Sequence, residues 1–188
     1  MLFACLLAAL PQDLPALPEK VFAEITAESV MDHVHGLTRF GTRHTLSDTE
    51  SDERGIGAAR RWIRAQLERF DEQARFSIYL EGHERELQGG ATVVVVNVMA
   101  VLPGTMGAAA HRHYYVVGHY DTRGSGALDA ASDAPGANDD GSGTAVVMEL
   151  ARVLADEALD STLVFLATAG EEQGLWGSTA HVDPRSRR

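Results

Sequence analysis

The sequence predicts an α/β fold in which helices cover a largely buried β-sheet. Two apolar runs, Thr92 to Leu102 and Thr162 to Ala167, are too continuous for strands exposed on one side. Stripes at helical spacing lie before and between them, and polar, glycine-rich loops follow the strand ends, where such sheets place their ligands. At 188 residues and 45% hydrophobic, the chain can bury one core, and a single folded domain is expected.

Taken in chain order, Met1 to Leu10 is apolar and runs into Pro11, Gln12 and Asp13, which reads as the apolar region and exit of a secretory signal without its basic start. Export to the periplasm or beyond the cell is the expectation it carries, and an N-terminal segment with no export role is the alternative. Pro11, Pro15 and Pro18 read as an extended linker over Pro11 to Glu19. Residues 1–20 are therefore expected to be signal-like segment and linker, and residues 21–188 the domain.

The first helix should begin at Thr26, which can cap it, with Ile25 and Val30 as a hydrophobic staple and Val30, Val34 and Leu37 on one face; Gly41 should follow its end. After a turn-rich stretch, Ile56, Ala59, Ile63, Leu67 and Phe70 predict a second helix, whose Arg60, Arg64 and Glu68 form a solvated face. Strands are predicted at Ala74–Leu80, Thr92–Leu102, Tyr114–Gly118 and Thr162–Ala167, with a helix over Ser142–Leu154 before the last. Trp62 and Trp176 read as packing residues, and His33, His35, His44, His83, His111 and His113 as surface or loop residues.

Charge and cysteine usage exclude several functions. Sixteen basic against 27 acidic residues give a formal net charge of −11, which repels phosphate backbones and argues against a nucleic-acid partner. The single cysteine, Cys5, allows neither an intrachain disulfide nor a cysteine zinc knuckle, so a metal site must be built from His, Asp and Glu. Beyond the N-terminal segment no apolar run approaches the roughly 20 residues needed to span a bilayer.

Three clusters carry chemistry. In Gly118-His119-Tyr120-Asp121-Thr122, a histidine leaving a strand can offer one ring nitrogen to a metal while Asp121 holds the other. Alone, such a pair is more often a hydrogen-bonded loop histidine. The loop Ala134 to Gly143 delivers the adjacent Asp139 and Asp140 to a helix start, where either Asp140 or Ser142 could instead be an ordinary cap. In Gly170-Glu171-Glu172-Gln173-Gly174, two carboxylates leave a buried strand in different directions, so that one can face a metal and the other a substrate; a solvated turn is the plain alternative.

The ordered set GHYDT, APGANDDGSG and AGEEQGLWGS resembles the family of two-zinc exopeptidases that includes bacterial leucyl aminopeptidases, glutamate carboxypeptidase and glutaminyl cyclases. The upstream FGTRHT and RGIGAARRWI segments are similar to the N-terminal helical part of its bacterial aminopeptidases. The resemblance runs from about Thr26 onward. It implies the zinc exopeptidase fold, with a central mixed, mostly parallel sheet, and two Zn2+ ions in a complete site. It further implies that His119 binds one zinc, Asp139 bridges both and Glu172 binds the other. Asp121 would orient His119, Glu171 would act as general base, and Asp140 would shape its loop through a cis peptide. Peptides would be the substrates, attacked by water at the N-terminal peptide bond.

The family supplies two further ligands, an aspartate and a histidine, later in its sequence. Only 16 residues follow Glu172 here, and His181 and Asp183 come too soon to match. The expectation is an N-terminal part of the domain with its C-terminal portion missing, inactive alone, with exposed apolar surface or an open strand edge and poor solubility. Two other readings stay open at this point: a cyclotransferase of the glutaminyl cyclase kind, and a non-catalytic binding or remnant domain.

Overall fold

The computed structural model describes residues 16–183; the signal-like segment Met1 to Leu10 and the basic end Arg185 to Arg188 lie outside them. The described chain runs α1 (Ala16–Glu24), α2 (Ala27–Thr38), α3 (Gly55–Phe70), β1 (Ser77–Glu86), β2 (Thr92–Leu102), β3 (His113–His119), α4 (Gly143–Leu154), β4 (Thr162–Thr168) and α5 (Trp176–Val182).

Helix α1 begins inside the stretch expected to be an extended linker. Pro18 lies in its first turn, where a missing N–H costs no intrahelical bond, and the residues that follow are good helix formers. Helix α2 starts as its sequence predicts. The Thr26 side chain accepts the Ser29 N–H at 3.0 Å, and Ser29 Oγ accepts the Thr26 N–H at 3.1 Å, a reciprocal cap that satisfies two otherwise free donors. On α3, Ile56, Ala59, Ile63 and Leu67 are buried, and on the opposite face Arg64 pairs with Glu68 at 2.7 Å across one helical turn.

The four strands form one sheet in the order β1-β2-β4-β3. It is mixed, as expected, but not mostly parallel over these residues: β1 with β2 and β2 with β4 are antiparallel, and only β3 with β4 is parallel. The reason is the connections. A short turn, closed by Leu87 N–H to Ala91 O at 2.7 Å, joins β1 to β2 and forces a hairpin, whereas α4 provides the crossover that a parallel β3–β4 pair requires. Strand β1 extends to Glu86 although Glu81 to Glu86 carries little apolar signal, because its backbone pairs with β2 throughout.

Helices α2, α3 and α4 pack together on one side, α3 and α4 lying against the sheet, around Leu37, Ile63, Met148, Val98, Ala100 and Phe165, none of which is more than 2% exposed. The short α5 lies against β1 and β2, held by Asn97, which donates to Gly177 O at 3.0 Å and accepts the Ala169 N–H at 3.1 Å. At the other rim of the described sheet β3 has a partner on one side only. Its Tyr114, Tyr115 and Val117 are 56%, 46% and 53% exposed, which matches the expected open, apolar strand edge.

Two of the expected surface histidines are in fact buried. His33 sits between helices, with Nε2 3.1 Å from Glu149 Oε2. His44 is fully buried: its Nδ1 accepts the Leu46 N–H, leaving Nε2 to face Ala127 O at 3.2 Å. Both pair their ring nitrogens with groups far away in sequence or on the next turn, which hydropathy does not register.

Candidate metal centre

The site forms where β3 ends, where α4 begins and where the chain leaves β4. Strands β3 and β4 are parallel neighbours with His119 in register with Thr168, so the loops following both emerge at the same end of the sheet. The start of α4 is pressed against this end through Gly118. A methyl group there would lie 2.8 Å from Thr144 N and 2.9 Å from Gly143 C, closer than atoms pack. The Thr144 hydroxyl then donates to His119 O at 2.9 Å.

The loop before α4 presents Asp139 outward and Asp140 inward. Gly136 turns it in the left-handed region at φ 46°, and the Gly141 N–H closes it on Gly136 O at 3.0 Å. The Asp139–Asp140 peptide is cis, as the resemblance implies. Asp140 uses both oxygens on backbone: Oδ2 accepts the His119 N–H at 3.0 Å and Oδ1 the Gly143 N–H at 2.9 Å. It therefore ties the His119 strand to the helix start, with both carboxylate oxygens engaged.

Asp121 is the hub. It is fully buried. Oδ1 accepts the Glu171 N–H and Oδ2 the Glu172 N–H, both at 3.2 Å, and Oδ2 also accepts the Thr45 hydroxyl at 3.2 Å. His119 Nδ1 lies 3.2 Å from Asp121 O and 3.5 Å from Asp121 Oδ1. Asp121 thus meets the imidazole with its backbone oxygen and its nearby charge, while its carboxylate anchors the turn that bears both glutamates.

On the other side of the ring, His119 Nε2 is 3.1 Å from Asp139 Oδ1 and 3.7 Å from Glu171 Oε2. Glu172 is turned elsewhere, its Oε2 2.9 Å from Arg123 Nε. Electrostatics reflect the crowd of carboxylates. Burial alone would lower the His119 pKa, but the hydrogen bond and charge of Asp121, followed by Asp140 and Glu171, outweigh it and hold the imidazolium up to about 9. Glu172 is pushed above the usual carboxylate range, first by burial and next by the charge of Asp139, against the pull of Arg123.

The donor set suits zinc in part. Two donors each about 2.0–2.2 Å from one tetrahedral ion stand about 3.3–3.6 Å apart, and His119 Nε2 and Asp139 Oδ1, 3.1 Å apart, would open slightly to admit one. Glu172 feels the charge of Asp139, although Arg123 pairs with the Glu172 oxygen. Among the described residues no three His, Cys, Asp or Glu side chains already converge on one ion. His181 stands apart on α5, its Nδ1 2.9 Å from Glu81 Oε2.

Several residues here escaped the sequence analysis. Arg43, Thr45 and Thr122 buttress the site from the segment 40–45 and the end of the His119 loop. The signal for Arg43 and Thr45 was the FGTRHT resemblance, and Thr122 closes the GHYDT motif; neither was assigned a task.

Residues 97–188 match the model of peptidase family M28. Over these residues the chain belongs to that family. It is 43% identical over 171 residues to a protein of Leptosphaeria maculans named "Probable zinc metalloprotease", covering 87% of this chain and 39% of that one. Two solved structures share the fold: LapB from Legionella pneumophila, with TM-score 0.64, 23% identity and coverage of 85% of this chain and 39% of that one, and a Porphyromonas gingivalis glutaminyl cyclase, with TM-score 0.62, 21% identity and coverage of 79% and 49%. The chain thus spans about two fifths of the curated relative it matches.

Proposed function

We propose that this M28 domain belongs to a two-zinc aminopeptidase, with His119 and Asp139 holding one ion, Asp139 and Glu172 the other, and peptides with a free N-terminus as substrates. The carrying observation is the 3.1 Å approach of His119 Nε2 to Asp139 Oδ1, with Glu171 Oε2 3.7 Å from the same nitrogen. Bound zinc would supply an acidified water and an electrophile for the scissile carbonyl.

The chain's own residues would do the rest. Asp121 keeps a proton on His119 Nδ1, so that Nε2 is the ligating atom. Glu171 stands on the open side of the ring, 39% exposed, where it can take a proton from water and hand it to the departing amine. A cavity of about 690 Å³ borders Glu172 and is walled by Leu46, Leu87, Leu128 and Trp176, a volume and lining suited to part of a peptide. Arg123 must leave the Glu172 oxygen, or share the carboxylate, for the second ion to bind there.

Two measurements test this reading together. Zinc titration should show binding that His119→Ala abolishes, and a chain extended to the length of the curated relatives should release amino acids from unblocked but not from N-acetylated peptides. Ring closure of N-terminal glutamine without amino-acid release would instead favour a cyclase, and zinc binding with neither activity a binding domain.

A further inference from the structure

We propose that Arg43 is a positioning residue of the metal centre, whose guanidinium locks the His119 loop and the Asp139 loop into one fixed relation. The inference rests on the metal-binding reading of those two residues.

Arg43 is fully buried, yet every part of its fork is engaged. Nε donates to Tyr120 O at 2.7 Å, within the His119 loop. Nη1 donates to Pro135 O at 2.7 Å and to Leu37 O at 3.1 Å, and Nη2 to Gly136 O at 3.0 Å. Pro135 and Gly136 are the foot of the loop that Gly141 closes and that displays Asp139. The Arg43 backbone is paired as well, its N–H donating to Thr122 Oγ1 at 2.9 Å and its carbonyl accepting the Thr122 N–H at 3.2 Å. Thr122 passes the tie on, donating its hydroxyl to Ala134 O at 2.8 Å. Residues on both sides of Asp121 and the residues just before Asp139 are thus held by one side chain and its neighbour.

Packing alone does not explain an arginine here. Burying a guanidinium is costly unless its donors are satisfied, and an apolar side chain of similar volume would fill the space more cheaply. What the guanidinium adds is a planar array of donors that can meet four carbonyls in different directions; a lysine ammonium has three donors at a single point. Its charge also matters. Burial lowers the Arg43 pKa to about 10, but the fields of Asp121 and Asp140 support the cation. A fixed positive charge behind the two loops offsets the mutual repulsion of the carboxylates gathered in front.

Cobalt(II) provides the test, because its visible absorption reports ligand geometry directly. Arg43→Lys, Arg43→Met and the milder Thr122→Val would be compared with Ile63→Ala, a core change on α3, which carries none of the candidate ligands. The expected result is folded Arg43 and Thr122 variants whose cobalt affinity falls about tenfold or more, as for outer-shell partners generally, with a shifted absorption band. Ile63→Ala should melt earlier but keep the wild-type band and affinity. Should the Arg43 variants fail to fold, Thr122→Val decides: a lower melting temperature with an unchanged band and affinity overturns the proposal. Wild-type and Arg43-variant spectra that coincide also overturn it while leaving the metal reading intact. A wild-type chain that binds no cobalt removes the metal reading and this proposal together.

Discussion

The buried carboxylate of Asp121 accepts the backbone N–H of Glu171 at 3.2 Å, although the two residues lie 50 positions apart in the chain. That bond, with its twin to Glu172, makes the glutamate turn depend on the residue that also orients His119.

Asp121→Asn tests this dependence. An amide keeps the size but has one acceptor oxygen and no charge, so it cannot serve both glutamate N–H groups and the imidazole. Metal affinity should fall about 10–100-fold, and amide hydrogen exchange at Glu171 and Glu172 should accelerate. Unchanged exchange at those two positions would show that the turn holds itself.

The imidazolium of His119 sets a pH dependence. Its folded pKa of about 9 lies above the unperturbed value, which is about 6.5. A raised pKa stabilises the folded state below the unfolded value and loses that contribution as pH rises through the folded one. The metal-free chain should therefore lose stability between about pH 6.5 and 9, by at most about 3 kcal/mol. Metal binding must expel the Nε2 proton, so apparent affinity should climb about tenfold per pH unit below 9. Denaturant melts and metal titrations across that range would check both trends, and His119→Gln should flatten them.

Away from the site, Glu149 joins α2 to α4. It receives Ser29 Oγ at 2.6 Å and Arg152 Nη2 at 2.8 Å, and faces His33 Nε2 at 3.1 Å. Burial would raise its pKa, but the hydrogen bond from Arg152, followed by that from Ser29, holds it down to about 2. The contribution is present above about pH 4.5 and disappears as pH falls toward 2. Glu149→Ala should cost about 3 kcal/mol in a chemical melt near neutral pH and much less at pH 2.

Glu171→Gln separates chemistry from binding. In a chain of the relatives' length, peptide hydrolysis should drop about 10²–10⁴-fold, while zinc affinity changes by no more than a few fold, since Asp139 is nearer to His119 Nε2 than Glu171 is. An equal loss in zinc affinity would make Glu171 a ligand and not the base.

What the sequence revealed and what it hid divide along a physical line. Helix α2 was legible from Thr26 onward because capping and periodicity are local, and β2 was legible to its ends because its apolar run is continuous, although only the part from Val95 onward is largely buried and Val94 is exposed. The charged half of β1 was hidden because pairing with β2, which is non-local, decides it. Helix α5 was hidden for a related reason: Asn97, 80 positions away from Gly177, holds its first turn. At the site, the motifs located His119, Asp121 and the paired carboxylates, and the resemblance already separated Asp139 from Asp140; what only the folded loop reveals is that Asp140 spends both oxygens on backbone N–H groups. Arg43 was hidden most thoroughly, since an arginine in a polar stretch looks like solvent-exposed charge until four distant carbonyls are seen around it.

Strand β3 ends in His119 and, among the described residues, pairs with another strand on one flank only. Whatever docks along its free flank would tighten the very segment from which the imidazole projects. If such docking holds His119 in the orientation that the proposed ion needs, association at that margin and ion binding would each be measured as a gain in the other.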